Sequence, residues 1–196
     1  MRLTERFHEA LGFASRLHAG QTRKGSDTPS IAHLLAVTAL VLEHGGTEDE
    51  AIAALLHDAV EDQGGAPVLA AIVAGCTDID EIHKPSWRPR KERYLADLAR
   101  APYSVRLVVT ADKLHNARSV LADYHRRGEA LWTRFTGRRE GTLWFYRSAA
   151  NVLTSRLRPE EVQLRELTAE LDSAVSALER AVTESAPARH HTPVGT

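Results

Sequence analysis

Apolar side chains recur at three- and four-residue intervals along most of this chain, the period of an amphipathic α-helix. Over residues 5–19, Phe7, Ala10, Leu11, Ala14, Leu17 and His18 fall on one face. The polar loop GQTRKGSDTP follows, broken by Gly20, Gly25 and Pro29. A second helical pattern over 31–44 stops at Gly45-Gly46. Thr47 then stands three residues before Glu50, the signature of a capping box opening a helix through AIAALLHDAVED. Pro67 opens a short helical pattern, VLAAIVAG, and CTDIDEIHKPSWRP reads as irregular. A charged helix is expected over 90–100, and Pro102 suits the first turn of a long one, YSVRLVVTADKLHNARSVLADYH. Loop material around Gly128 and Thr136-Gly137 brackets ALWTRF. Helices over about 140–157 and 159–183 complete the pattern. The segment RLVVTA is too short for a strand and lies inside a longer helical period. The expectation is an all-α, single-domain globular fold over 1–184, its last helix a packing element or self-association contact, with a disordered tail over 185–196.

Composition narrows what such a helical fold can do. Twenty-five Lys and Arg against 26 Asp and Glu supply no bulk positive charge for nucleic acid. One cysteine, Cys76, excludes an intrachain disulfide and a Cys-rich metal site, and fits a reducing compartment. No apolar run approaches the roughly 20 residues of a membrane span, so a cytoplasmic protein is expected. Ten histidines stand out against four Phe, four Tyr and one Met.

Position, more than number, makes two of those histidines informative. His57 and Asp58 are adjacent in LLHDAVED, so on a helix they diverge by about 100° and share one ion only in a crevice between helices. His33, just inside the second helix, and Asp112, in the long helix, are suited to complete the set. Two imidazoles and two carboxylates suit a six-coordinate divalent ion such as manganese, with positions left for water and substrate. Glu61 and Asp62 follow His57 and Asp58 by four residues, where a carboxylate can orient or deprotonate an attacking water. The bland alternatives are a hydrogen-bonded His-Asp pair, an exposed Asp112 and solvated carboxylates near a helix end. Carboxylates there oppose the helix dipole by roughly 0.3–1 kcal/mol each.

The ordered set His33, His57-Asp58 and Asp112 resembles that of the HD-domain metal-dependent phosphohydrolases. The flanks QTRKGSDTPSIAH, AALLHDAVED and ADKLHNARSV are similar to the hydrolase domains of the RelA/SpoT family and to the stand-alone small alarmone hydrolases, over residues 5–157. The resemblance implies manganese-dependent removal of the 3′-pyrophosphate from guanosine tetra- or pentaphosphate. It makes His33, His57, Asp58 and Asp112 metal ligands, and Glu61 and Asp62 the catalytic carboxylate pair. It sets Arg23, with Lys24 beside it, against the guanine base, Asn116 on the ribose and Ser119 as a further nucleotide contact. This chain departs from the family in a shorter stretch between Asp62 and Thr77, in TPS where TPY is common, and in IDEIHKPSWRPRKERY. These changes fall on a pocket wall, so two alternatives stand: an HD-type phosphohydrolase of a nucleotide monophosphate or a nicotinamide dinucleotide phosphate, or a catalytically silent nucleotide-binding module.

Outside those motifs, KPSWRPRKER gathers Lys84, Arg88, Arg90, Lys91 and Arg93 around Trp87. It is either a second phosphate site, with Arg90 and Lys91 the contacts, or a solvated helix start. Trp144, Phe145 and Tyr146 read first as core, with Tyr146 also a candidate for the base pocket, and Trp132 and Phe135 read as packing. His83 and His115 are given no ligand role.

Overall fold

The computed structural model describes residues 2–24, 26–58, 72–73 and 86–185. Among them are seven α-helices: α1 (Glu5–Leu17), α2 (Ile31–Glu43), α3 (Glu48–Leu56), α4 (Trp87–Leu98), α5 (Tyr103–Arg127), α6 (Arg138–Ser155) and α7 (Val162–Glu184). A 3-10 turn, Gly128–Arg134, joins α5 to α6. Extended pairing among these residues is limited to one bridge, Thr22 to Pro29, inside the loop between α1 and α2. None of the described helices is long and apolar enough to cross a membrane.

Helix α5 is the axis of the fold, packed by α2, α3, α6, α7 and the 3-10 turn. Its run from Val105 to Asp112 is buried without interruption, which is why RLVVTA shows no helical polarity of its own. Leu107, Leu114, Leu131, Leu153, Leu164, Leu167, Leu171 and Leu178 are completely enclosed around it. A smaller cluster of Phe7, Ala14, Leu34, Ile52 and Leu55 joins α1, α2 and α3. Thus the element carrying Asp112 is fixed from several sides, that carrying His33 by α3 and α5, and that leading into His57 by α1, α2 and α5.

Local signals explain most boundaries. Thr47 and Glu50 form the expected capping box, Thr47 N–H donating to Glu50 Oε2 at 2.7 Å. Gly45 turns the chain with φ 72°, and a Cβ on Gly46 would lie 2.7 Å from the Val41 carbonyl oxygen, so both glycines are needed between α2 and α3. Four expectations shift. Helix α4 begins at Trp87, before residue 90, because Pro89 sits in the first turn, where a missing N–H costs nothing. Pro102 caps α5 from outside. The loop expected around Gly128 is a 3-10 turn, Gly128–Arg134, which takes in all of ALWTRF but Phe135. Helix α7 begins at Val162, three residues past Pro159, since Glu161 is drawn to Arg106 and accepts from the Arg158 N–H at 3.0 Å. The expected helix after Pro67 and the tail past Ser185 fall outside the described residues, apart from Ile72 and Val73, which are helical.

Candidate metal centre

Three helices bring the predicted donors to one point. His33 comes from the first turn of α2, His57 caps the C-terminal end of α3 with Asp58 next to it, and Asp112 lies mid-way along α5. His33 Nε2 is 3.1 Å from Asp112 Oδ1 and 3.8 Å from Asp58 Oδ2. His57 Nε2 is 3.4 Å from Asp58 Oδ1 and 3.6 Å from Asp112 Oδ1. Donor atoms about 2.1 Å from a common octahedral ion stand about 3.0 Å apart when adjacent and about 4.2 Å when opposite. His33, His57 and Asp58 offer ligand atoms within 4.8 Å of one another, and Asp112 Oδ1 adjoins both imidazoles, an arrangement suited to one divalent ion. His33, His57 and Asp112 are buried, while Asp58 is half open to solvent, leaving one side for exchangeable ligands.

The hydrogen bonds behind the donors set their chemistry. His57 Nδ1 donates to the Ala54 carbonyl at 2.7 Å. That partner fixes the proton on Nδ1 and leaves Nε2 with a lone pair, buried and without a hydrogen-bond partner. An orphaned imidazole nitrogen facing two carboxylates fits a metal ligand. His33 Nδ1 lies 2.8 Å from His115 Nδ1. Burial, with the His33 and Arg23 charges, pushes His115 down to about 4, so at pH 7 it is neutral and its Nδ1 can accept a hydrogen bond from His33 Nδ1–H. His115, given no ligand role from the sequence, stands behind His33 where it can orient that candidate ligand. Its position three residues after Asp112, on the same helical face, was the available signal.

Asp112 divides its two oxygens. Oδ1 faces the histidines and accepts from Asn116 Nδ2 at 2.5 Å, while Oδ2 is 2.6 Å from Lys113 Nζ. Burial opposes the carboxylate, but Lys113, His33 and His57 outweigh it and hold the group well below the usual range. At His57 burial likewise opposes the charge, and Asp112 and Asp58 overcome it and raise the imidazole. The field that favours a proton there equally favours a divalent cation.

Residues 10–143 match the family model described as HD domain. The chain belongs to the HD-domain family. Among curated relatives of this HD domain, a GTP pyrophosphokinase of Streptomyces coelicolor is 33% identical over 118 residues, covering 55% of this chain and 14% of the relative. A probable guanosine-3′,5′-bis(diphosphate) 3′-pyrophosphohydrolase of Synechocystis is 32% identical over 123 residues, covering 57% of this chain and 16% of the relative. The HD domain here therefore spans about one-seventh of the length of those relatives. Among solved structures, a metazoan ortholog of SpoT that hydrolyses ppGpp superposes with TM-score 0.67 at 24% identity, over 93% of this chain and 99% of that one. A Listeria monocytogenes protein does so with TM-score 0.62 at 24% identity, over 77% of this chain and 99% of that one. These two structures share the fold.

Several further predicted residues gather beside the centre of this HD domain. Arg23, in the loop before α2, donates to Asn116 Oδ1 at 2.5 Å, so the loop, the amide and Asp112 form a continuous chain. Tyr146 is buried close enough to feel Lys113, Asp112 and Arg23, and burial pushes its hydroxyl up to about 12. Lys91 Nζ lies 4.7 Å from the Phe145 ring centre, and Lys113 Nζ lies 5.8 Å from the same ring. Others are further from the centre or committed elsewhere. Ser119 Oγ donates to the His115 carbonyl at 2.9 Å. Lys24 is exposed at the loop tip, and Arg90 is half-buried on α4. Trp132 and Phe145 are buried in the core, with Phe135 and Trp144 packed partly against it. Glu61, Asp62, Cys76, His83 and Lys84 lie outside the described residues.

Proposed function

We propose that this HD domain is a manganese-dependent phosphohydrolase that removes the 3′-pyrophosphate of guanosine tetra- and pentaphosphate, giving GDP or GTP and pyrophosphate. The observation that carries the reading is the chain Arg23–Asn116–Asp112, which couples a base-side cation to the predicted metal centre within two hydrogen bonds. Similarity to a pyrophosphohydrolase of Synechocystis and to the ppGpp-hydrolysing fold neighbour supports the same substrate.

In this reading His33, His57, Asp58 and Asp112 hold the ion, their two imidazoles and two carboxylates being a mixed N/O set suited to manganese. When bound, such an ion acidifies a water and neutralises charge developing on phosphate oxygens. Glu61 or Asp62, assigned from the sequence, takes a proton from the attacking water. The water oxygen bonds to the phosphorus next to the ribose, the bond from that phosphorus to O3′ breaks, and O3′ regains a proton as a hydroxyl. Arg23 lies against the base, and Asn116 turns towards the ribose while steadying Asp112. Tyr146 closes the pocket wall. Lys91, Lys113 and Arg90 offer positive charge to the 5′-phosphates, with Lys24 and Ser119 as peripheral contacts.

The test is metal-stripped protein repleted with manganese and assayed on ppGpp, pppGpp, nucleotide monophosphates and NADPH. GDP and pyrophosphate from ppGpp, abolished by chelation, is the expected result. Turnover only of another phosphoester replaces the substrate, and tight nucleotide binding without turnover under any divalent metal makes the domain a binding module.

A further inference from the structure

Arg134 closes the 3-10 turn after α5, 110 residues away in sequence from the loop that carries Arg23. Its guanidinium nevertheless reaches that loop, Nη2 donating to the backbone carbonyl of Lys24. Nη1 donates to Asp123 Oδ2 on α5 at 3.2 Å. The side chain is largely enclosed, and its Nε is buried without a hydrogen-bond partner. A buried donor left unsatisfied works against folding, so the arginine's place is not explained by stability alone.

The platform beneath Arg134 is stiff. Trp132 is buried, with its ring 5.5 Å from Tyr124 and 6.2 Å from Phe135. Tyr124 in turn donates its hydroxyl to Glu129 at 2.8 Å, tying the start of the 3-10 turn to α5. The loop it meets is internally ordered but narrow at its base. Arg23 N–H donates to the Thr28 carbonyl and Ser30 N–H to the Gln21 carbonyl, both at 2.8 Å. These bonds shape the loop without fixing its tilt over α5. Two contacts reach from its tip to the α5 side: Arg23 to Asn116, and Arg134 to the carbonyl of Lys24, the very next residue.

The geometry points to Arg134 as a positioning residue, which grips the loop backbone so that Arg23 is held over Asn116 and the substrate pocket. It touches no substrate and acts through Arg23. This assignment rests on the substrate reading above for its kinetic consequence, though not for the grip itself.

The experiment has two readouts. Hydrogen exchange on nucleotide-free protein compares wild type with Arg134→Ala at the amides of Arg23 and Ser30. The variant is expected to exchange at least about fivefold faster there, with α5 unchanged, because local opening is freed without global loss. Kinetics on ppGpp then compare Arg134→Ala, Arg134→Lys and Arg23→Ala. Losing a charged hydrogen bond predicts about a tenfold or greater rise in KM with kcat little changed. Arg134→Lys recovers part of it, and Arg134→Ala adds less than about twofold when Arg23 is already Ala. Unchanged loop exchange overturns the grip, as does a fully additive double variant. If Arg134→Ala does not fold, Arg134→Lys carries both readouts. Wild-type protein without ppGpp turnover defeats the substrate reading alone, and the exchange comparison still decides Arg134.

Discussion

His33 and His115 face each other Nδ1 to Nδ1 at 2.8 Å, and this pairing aims the Nε2 of His33 at Asp112 and Asp58. In the proposed metal site His33 would supply a ligand and His115 would fix its tautomer, a division of labour that governs metal affinity in sites of this type.

His115→Ala is therefore expected to weaken divalent-metal binding by about 10–100-fold while leaving the helical fold intact. His115→Gln, which can still accept from His33, retains part of the affinity. Manganese titration monitored by electron paramagnetic resonance measures both. Equal affinity in wild type and His115→Ala contradicts the orienting role.

Trp87 is seated against two glycines at the start of α6, Gly137 capping it and Gly141 in its first turn. A Cβ on Gly137 or Gly141 would lie 2.6 or 2.9 Å from the indole, while Arg88 stacks 3.3 Å above the centre of the Trp144 ring. This docking sets the position of α4, which carries Arg90 and Lys91. Gly141→Ala adds a methyl with no room to sit, and it should cost about 1–3 kcal/mol in urea unfolding. It should also raise KM for ppGpp more than it lowers kcat. A fully stable variant with native KM removes the glycine seat from the account.

Arg106 and Glu161 form a buried ion pair that joins α5 to the start of α7, with Arg106 also donating to the Arg156 carbonyl at 3.1 Å. The Arg106 hydrogen bond lowers Glu161 against the opposing effect of burial. A depressed carboxylate contributes its stability above its unfolded value of about 4.3 and loses it as pH falls through the lower folded value. Wild-type stability should thus drop on acidification below about pH 4.5, and Glu161→Gln should flatten that arm while destabilising at pH 7. Arg106→Ala leaves an unpaired buried carboxylate and is expected to cost about 3–5 kcal/mol. Urea unfolding between pH 3 and pH 7 checks the slope. An acid arm equally steep in Glu161→Gln assigns the dependence to other groups.

What the sequence made legible follows from range. The capping box at Thr47 and Glu50, and the common face of Asp112 and Asn116, are set by residues three or four apart. Motif order singles out His33 and His57, and the fold unites them because α2, α3 and α5 pack together. Pro159 is a strong local signal for the start of α7, but the helix begins three residues later because Glu161 answers to Arg106, 55 residues away. Trp87 against Gly137 and Arg134 against Lys24 are likewise contacts between distant segments, and no local period announces them. His115 was within reach, since it shares the face of Asp112, but a histidine's hydrogen-bond partner is visible only once two helices meet.

Whether His33, His57, Asp58 and Asp112 form one divalent-metal site is decided by calorimetric titration of manganese into metal-stripped protein. The wild type is expected to bind one ion per chain. His57→Ala and Asp112→Asn should abolish the event while remaining helical. A wild type that takes up no divalent ion, or a folded His57→Ala that binds it as tightly, would contradict the account.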